Sequence, residues 1–129
     1  MQTIRRIQLD ALALARFRSF VERMCRHLRT EFGEEVGEMN EAELRHAVES
    51  GISRARAYGL RSAQDLCRFL NLCAVFGWEF DEDESLREVL TDDAVENASV
   101  RLRRVYARCL RRLEVEEHNE RLWAETAVQ

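Results

Sequence analysis

The most apolar stretch of the chain is Ser62-Ala-Gln-Asp-Leu-Cys-Arg-Phe-Leu-Asn-Leu-Cys-Ala-Val-Phe-Gly77. Ser62 and Asp65 have the spacing of a capping box, which marks a helix start, and glycine at position 77 is typical of a helix end. Most of the apolar residues between them share one arc of the predicted helix, whereas Leu72 and Val75 fall on the polar arc. Either this helix is central and covered on nearly all sides, or Leu72 and Val75 contact a partner.

Two further helices are predicted on the N-terminal side of this segment. Apolar residues recur every three or four positions from Ile4 to Phe32, which predicts a long first helix that Gly33 ends. A second helix is predicted from an Asn40 cap to about Tyr58. Because glycine inside a helix costs about 1 kcal/mol relative to alanine, Gly51 indicates a close approach of a neighbouring helix there.

Two more helices are predicted on the C-terminal side. A short helix starts at Ser85 and covers the residues up to Leu90. A last long helix is capped by Thr91 or Asp92 and turns its aromatic residue, Tyr106, inward. After Leu113 the helix-forming residues continue, but the clean apolar stripe does not.

Length and composition agree with this helical pattern. A chain of 129 residues has the size of one domain, and it contains no proline and only five glycines, the residues on which tight turns depend. We therefore predict an all-α, single-domain bundle of four to five helices with a long N-terminal helix and a central apolar third helix. The domain is predicted over residues 1–113, with a charged, helical C-terminal extension over 114–129.

The cysteines and the N-terminus favour a cytoplasmic protein. Four cysteines, Cys25, Cys67, Cys73 and Cys109, stand among apolar residues, and no Cys-x-x-Cys pair offers a zinc or redox scaffold. We expect all four to be reduced core residues. No segment has the length of a membrane span, and the apolar run near the N-terminus is too short for a signal peptide.

Charge is segregated along the chain, although the net charge is only −4. Residues 101–112 contain six arginines and no acid, whereas the acidic run Asp81–Glu84 is part of a block of opposite sign. That run lacks the ligand spacing of an EF-hand, so we expect a solvated loop that pairs with nearby arginines. Nucleic-acid binding is disfavoured, because the chain is acidic overall and Tyr106 is predicted to face inward.

The sequence predicts no catalytic, metal or cofactor site. The three histidines, His27, His46 and His118, lie on three different predicted helices, and the chain has no phosphate loop, Gly-x-Ser-x-Gly or His-Glu-x-x-His motif. Cys25 and His27 are two positions apart, which places them on different sides of a helix. We therefore expect a protein that is not an enzyme.

Large apolar side chains that the helical periods leave outside the core are the candidate partner-binding residues. They are Leu72, Val75, Trp78, Phe80, Leu122 and Trp123. Tryptophan is enriched among interface residues that dominate binding energy. The alternative for Trp78 and Phe80 is that they fold back under the long first helix.

Four stretches of the chain together resemble a family of small, all-helical accessory proteins from Gram-negative bacteria, encoded beside type VI secretion effectors, spike proteins and adaptor chaperones. The stretches are Ile4-Arg-Arg-Ile-Gln8 with His27-Leu-Arg-Thr-Glu-Phe32, then Gly51-Ile-Ser-Arg-Ala-Arg-Ala-Tyr-Gly59, then Asp65-Leu-Cys-Arg-Phe69 through Phe76-Gly-Trp-Glu-Phe-Asp81, and Leu86 to Leu90 with the closing helix. The chain departs from the family at Cys67, Cys73 and Cys109 and in its charged tail.

This resemblance implies a cytoplasmic, non-enzymatic co-adaptor that binds an adaptor chaperone or a secreted effector and assists its loading for type VI secretion. It implies a hetero-oligomer with protein partners, without nucleic acid or membrane. The alternative is a cytoplasmic immunity protein that neutralises a cognate toxin, for which the acids Glu79 to Glu84 would suit a basic nuclease. A third hypothesis is an arginine-faced regulator of nucleic acid.

Overall fold

The chain folds into five α-helices, and the computed structural model describes residues 2–128. The helices are α1 (Gln2–Glu31), α2 (Glu41–Ala57), α3 (Ala63–Phe76), α4 (Glu84–Leu90) and α5 (Ala98–Val128), with a 3₁₀ turn at Phe80–Glu82 between α3 and α4. No strand occurs among the described residues. The prediction of an all-α bundle is confirmed.

Helix α3 is the centre of the bundle. It packs against α1, α2, α5 and the 3₁₀ turn, and seven of its side chains are buried: Asp65, Leu66, Phe69, Leu70, Leu72, Cys73 and Ala74. Only one of these is charged, and burying the other six removes apolar surface from water, which is the main driving force for folding. Of the two interpretations of this segment, the central helix is correct.

The close helix contact predicted at Gly51 is present between α2 and α3. A Cβ atom at position 51 would lie 2.7 Å from Cδ2 of Leu70, which is itself completely buried. Since carbon atoms do not approach so closely, a larger residue would push the two helices apart. Glycine therefore sets the distance between α2 and the central helix.

Side-chain caps start α2 and α3 where the sequence indicates. Asn40 and Glu43 form both hydrogen bonds of a capping box, at 2.8 and 3.1 Å. At α3 the Ser62 hydroxyl accepts from the Asp65 backbone N–H at 3.1 Å, as predicted. The Asp65 carboxylate does not form the second hydrogen bond of a capping box, the one to the Ser62 backbone N–H. It accepts a hydrogen bond from the Ser99 hydroxyl instead, which connects the start of α3 to the start of α5.

The start of α4 differs slightly from its prediction. Its cap is Asp83 rather than Ser85, because an Asp83 carboxylate oxygen accepts from the backbone N–H groups of Ser85 and Leu86. A carboxylate is as good a cap as a serine hydroxyl and adds a favourable interaction with the helix dipole.

The start of α5 was predicted wrongly. The helix begins at Ala98, after the Asn97 side chain accepts from the Ser99 backbone N–H, and not at Thr91 or Asp92. The Arg101 guanidinium donates to the carbonyls of Val95 at 2.6 Å and Tyr58 at 3.1 Å. These bonds hold the segment before Ala98 against the α2–α3 turn, away from a helical path.

Two helices continue beyond the core. The fully buried residues of α1 begin at Val21, and Phe17 and Phe20 before it are partly buried against the core. Leu9, Leu12 and Leu14 in the first half of α1 are exposed; the side chains of Ile4 and Ile7 lie outside the described set. At the other end of the chain, α5 continues after Leu113 as a helix whose residues 114–126 are all exposed. Among the described side chains, the apolar repeat of the long N-terminal helix is therefore buried only in its second half.

Candidate protein-binding site

Two of the six predicted partner-binding residues are core residues. Leu72 is 1% exposed and Phe80 is 5% exposed, and the Phe80 ring packs on the Phe69 ring with centroids 5.1 Å apart. The expectation that both lie outside the core is wrong. Leu72 is buried because neighbouring helices cover the arc of α3 that its sequence marks as polar, so it cannot contact a partner without opening the core. Phe80 is a core residue that also lines the cleft described below.

Trp78 is half-buried and packs against α2, which differs from both alternatives considered for it. Its ring lies 3.9 Å from the place where a Cβ of Gly51 would be, and its backbone carbonyl accepts a hydrogen bond from the Arg54 guanidinium. The loop after α3 thus folds back under the second helix rather than under the first. The small surface at Gly51 leaves room for the indole.

The acidic run after Trp78 is not a uniformly solvated loop, because Asp81 is buried. Arg54 Nε lies 3.3 Å from one Asp81 carboxylate oxygen, and the Tyr58 hydroxyl donates to the other at 2.9 Å. Arg54 also donates to the Ser50 hydroxyl at 3.1 Å. These contacts fix the 3₁₀ turn on α2 and assign Asp81 a structural role.

Burial and the hydrogen bond to Asp81 raise the pKa of Tyr58 from 10.0 to about 12. Because the folded chain favours the protonated phenol, the stability this residue contributes is complete below pH 10 and is lost as the pH rises to about 12. In a Tyr106→Phe variant, which leaves one tyrosine, we expect the phenolate absorbance to appear with a midpoint near pH 12. A midpoint near pH 10 in a chain that is still helical would contradict the Tyr58–Asp81 contact.

Val75 and Phe80 are the predicted site residues that line a cleft, and of the two only Val75 is exposed. Val75 is 39% exposed, and the cleft, of about 410 Å³, lies between the end of α3 and the middle of α5. Apolar atoms of Phe76, Phe80, Leu86 and Leu113 contribute to its lining, and Glu79, Asp83, Arg112 and Glu116 supply charged groups. A cleft lined by both apolar and charged side chains suits a protein segment with one apolar anchor among polar residues.

Hydrogen bonds hold charged side chains of this cleft in place. Arg112 donates to Asp83 at 3.1 Å and to the Ser85 hydroxyl at 2.6 Å. The bonds from Ser85 and Arg112 lower the pKa of Asp83 to about 2, so this carboxylate is charged at neutral pH. The contact fastens α5 to the start of α4 at the point where α5 leaves the core.

Trp123 and Leu122 lie on the exposed extension of α5 but on different sides of it. At about 100° per residue, Trp123 lies on the same side of the helix as Arg112 and Glu116, which line the cleft, whereas Leu122 is turned away with Val115. Trp123 is 77% exposed, more than any other large apolar residue whose burial is described. The cleft at Val75 and the Trp123 indole therefore follow one side of α5.

The structure also shows an exposed aromatic residue that the sequence interpretation placed in the core. Tyr106 is 46% exposed, because it lies at the edge of the arc that Leu102 and Cys109 define and not at its centre. With Arg68, Asn71 and Arg103 it borders a second cleft, of about 330 Å³, between α3 and α5. Its angular distance of about 100° from the buried Val105 was the signal that could have indicated this position.

His27, Cys67 and Asn71 come together from α1 and α3, but their geometry favours a structural role. Asn71 Oδ1 and Cys67 Sγ lie 2.9 and 3.9 Å from the same ring nitrogen, Nε2 of His27. A histidine that hydrogen-bonds an amide through this nitrogen cannot also use it to take a proton from the thiol. Burial raises the pKa of Cys67, whereas nucleophilic cysteines need a lowered pKa.

Two other kinds of site are absent within residues 2–128. No cluster of three or more histidine, cysteine, aspartate or glutamate side chains could hold a metal ion. No helix in this range combines the length and the apolar character needed to cross a membrane. The four cysteines are free; three of them are buried as expected, whereas Cys67 is only half-buried.

Comparison with protein-family models, with curated proteins and with solved structures gives no match to this chain.

Proposed function

We propose that this chain is a non-enzymatic accessory protein that binds another protein along one side of α5. The observation that carries the proposal is the position of Trp123, an indole 77% exposed on a helix that has already left the core. Large exposed apolar side chains of this kind are typical of interface residues that dominate binding energy. The cleft at Val75 lies on the same side of α5, so a partner can contact the indole and the cleft together.

The recognition mode we propose is docking of a helical segment of the partner. The partner segment lies along α5, packs against Trp123 and places an apolar residue in the cleft beside Val75. Asp83, Arg112 and Glu116, which line the cleft, then set the orientation of the partner through charge. Leu122, on another side of the extension, is a contact only for a partner that wraps around α5.

The biological role we propose follows from the resemblance to accessory proteins of type VI secretion. In that role the chain is a cytoplasmic co-adaptor, and the partner is an adaptor chaperone or the effector that the chaperone delivers. The complex would keep the effector stable until it is loaded onto the secretion spike. The immunity hypothesis draws less support, since Asp81 and Asp83 are engaged within the chain and leave fewer acids for a basic toxin.

Exchange of Trp123 for alanine tests this proposal. We expect partner recovery to fall about thirtyfold when the tagged variant is used in a pull-down from the native bacterium, because the central anchor of the interface is lost. Mass spectrometry identifies the partner, and secretion of the effector is measured in parallel. Leu9→Ala is the matched control, since Leu9 is also a large exposed apolar residue but lies on α1.

Two outcomes would overturn the proposal. Undiminished recovery of the adaptor with the Trp123→Ala variant would show that the partner binds elsewhere. Recovery of a toxin alone, with its activity abolished in the complex, would favour the immunity protein instead.

A further inference from the structure

A second strip, exposed except for the half-buried Leu113, runs along α5 on a different side from Trp123. Its members are spaced alternately by three and four positions, the spacing of a helix seam: Arg103, Tyr106, Leu110, Leu113, Glu117 and Glu120. Tyr106 and Leu110 are 46% and 43% exposed. Helix α1 does not cover the strip, because no contact joins α1 to α5 within the described residues.

The strip is complementary to itself when its direction is reversed. It begins with a basic residue, Arg103, has two leucines at its centre and ends with two acids. A second copy of α5 can lie antiparallel on the first, with the midpoint of the contact between Leu110 and Leu113. The basic end of each helix then meets the acidic end of the other. A two-fold axis makes each such contact twice.

We propose that two copies of this chain form a dimer through antiparallel pairing of their α5 helices along this strip. Leu110 of each copy packs against Leu113 of the second copy at the centre. On both sides of this centre the Tyr106 hydroxyl meets Glu117, and the Arg103 guanidinium meets Glu120. The positions of the two residues in each pair add up to the same number, as an antiparallel register requires.

The cleft between α3 and α5 supports this register independently of the strip. Arg68 and Arg103 border that cleft together with Tyr106. Arg68 pairs with Asp65 at 3.6 Å, whereas Arg103 forms no salt bridge within the part of the chain that the structure describes. In the dimer the acids of the second copy lie over this basic cleft. The charge of the cleft therefore matches the segment that the antiparallel register brings to it.

The acidic segment can reach this cleft only from a second copy. Residues 98–128 form one uninterrupted helix, and the cleft lies beside Arg103 and Tyr106 of that same helix. A continuous α-helix of 31 residues, about 46 Å long, cannot fold back on its own first turns. The paired helices would overlap from about residue 103 to residue 120 of each copy.

This inference goes beyond the proposed function and, apart from Leu113, which also lines the cleft at Val75, uses another side of the helix. Trp123 lies about 100° around α5 from Tyr106, so it stays accessible in the dimer. Each copy can then bind one partner molecule through its own indole. Loss of the dimer and loss of partner binding are therefore separate outcomes.

Sedimentation equilibrium of the full chain over a range of concentrations tests the proposal, with a dimer of twice the 15.2 kDa chain mass as the expected species. Reversal of one charge, by Arg103→Glu or Glu120→Arg, is expected to raise the dissociation constant about tenfold, since each substitution places like charges together twice in the dimer. The double variant Arg103→Glu/Glu120→Arg restores opposite charges and is expected to recover the original dissociation constant.

Leu110→Asp is expected to give a monomer that keeps its helicity, because Leu110 is exposed in the single chain. Leu9→Asp, which places the same charge at an exposed leucine of α1, is the matched control and should leave the dimer intact. A chain that is monomeric at all concentrations would overturn the proposal. A dimer that survives Leu110→Asp, or a double variant no better than the single ones, would also overturn it.

Discussion

Replacement of Leu72 by aspartate is expected to unfold this protein. The side chain is 1% exposed on the central helix, in contact with the core that α1, α2 and α5 build around α3. A carboxylate at this position would lose its hydration without gaining a partner, so we expect the free energy of unfolding to fall by more than about 4 kcal/mol. Single domains are stable by only about 5–15 kcal/mol.

Val75→Asp is the matched control, three positions further along the same helix. Val75 is 39% exposed, so its carboxylate stays hydrated, and we expect a change of less than about 1 kcal/mol. Circular dichroism during urea unfolding measures both variants. A Leu72→Asp variant that unfolds at the same urea concentration as the Val75→Asp variant would contradict the central position of α3.

The second large effect is expected from Arg54→Ala. The substitution leaves the buried Asp81 carboxylate with the Tyr58 hydroxyl as its hydrogen-bond donor and removes a donor from the Trp78 carbonyl. Breaking one partner of a buried ion pair costs about 3–5 kcal/mol, and since the Arg54 side chain is 30% exposed we expect the lower end of this range.

A double-mutant cycle with Asp81→Asn separates this ion pair from the other bonds of Arg54. With asparagine at position 81, no buried carboxylate is left beside Arg54. Arg54→Ala should then lower the free energy of unfolding clearly less than it does in the original chain. Chemical denaturation of the four chains gives the coupling free energy. Additive effects of the two substitutions would show that Arg54 and Asp81 do not interact.

Local sequence signals were sufficient to predict the helices of this fold. The cap residues Asn40 and Ser62 act on backbone groups of their own first turn, so their effect can be read from neighbouring positions alone. Gly77 is of the same kind, because the need for its positive φ angle is a local property. The boundaries of α3 agree with the prediction for this reason.

Exposure of single residues could not be predicted in the same way. Leu72 lies on the polar arc of α3, and it is buried because neighbouring helices cover it. The spacing of apolar residues along α3 does not indicate where those neighbouring helices lie. The start of α5 shows the same limit: the Arg101 guanidinium reaches the Tyr58 carbonyl, a partner 43 positions away. Contacts of this kind depend on how helices pack, and no local pattern indicates them.

The candidate binding site was predicted only in part, because the exposure of its residues also depends on how the helices pack. Trp123 and Val75 were named from their residue type and their departure from the apolar stripe, and both are exposed. Phe80 departs from the stripe as well, but the bonds from Arg54 and Tyr58 pull its turn onto α2 and bury the ring. An apolar residue in a loop thus has two possible positions, and buried ionic contacts nearby decide between them.

The continuity of α5 has a consequence for the thermodynamics of binding. Starting a helix is the unfavourable step of its formation, and extending an existing one is easy. The first turns of α5 are fixed by the core, so the residues after Leu113 elongate a helix whose nucleation is already complete. A ligand of this segment therefore meets a preorganised backbone and does not have to supply the ordering entropy that a disordered tail would demand.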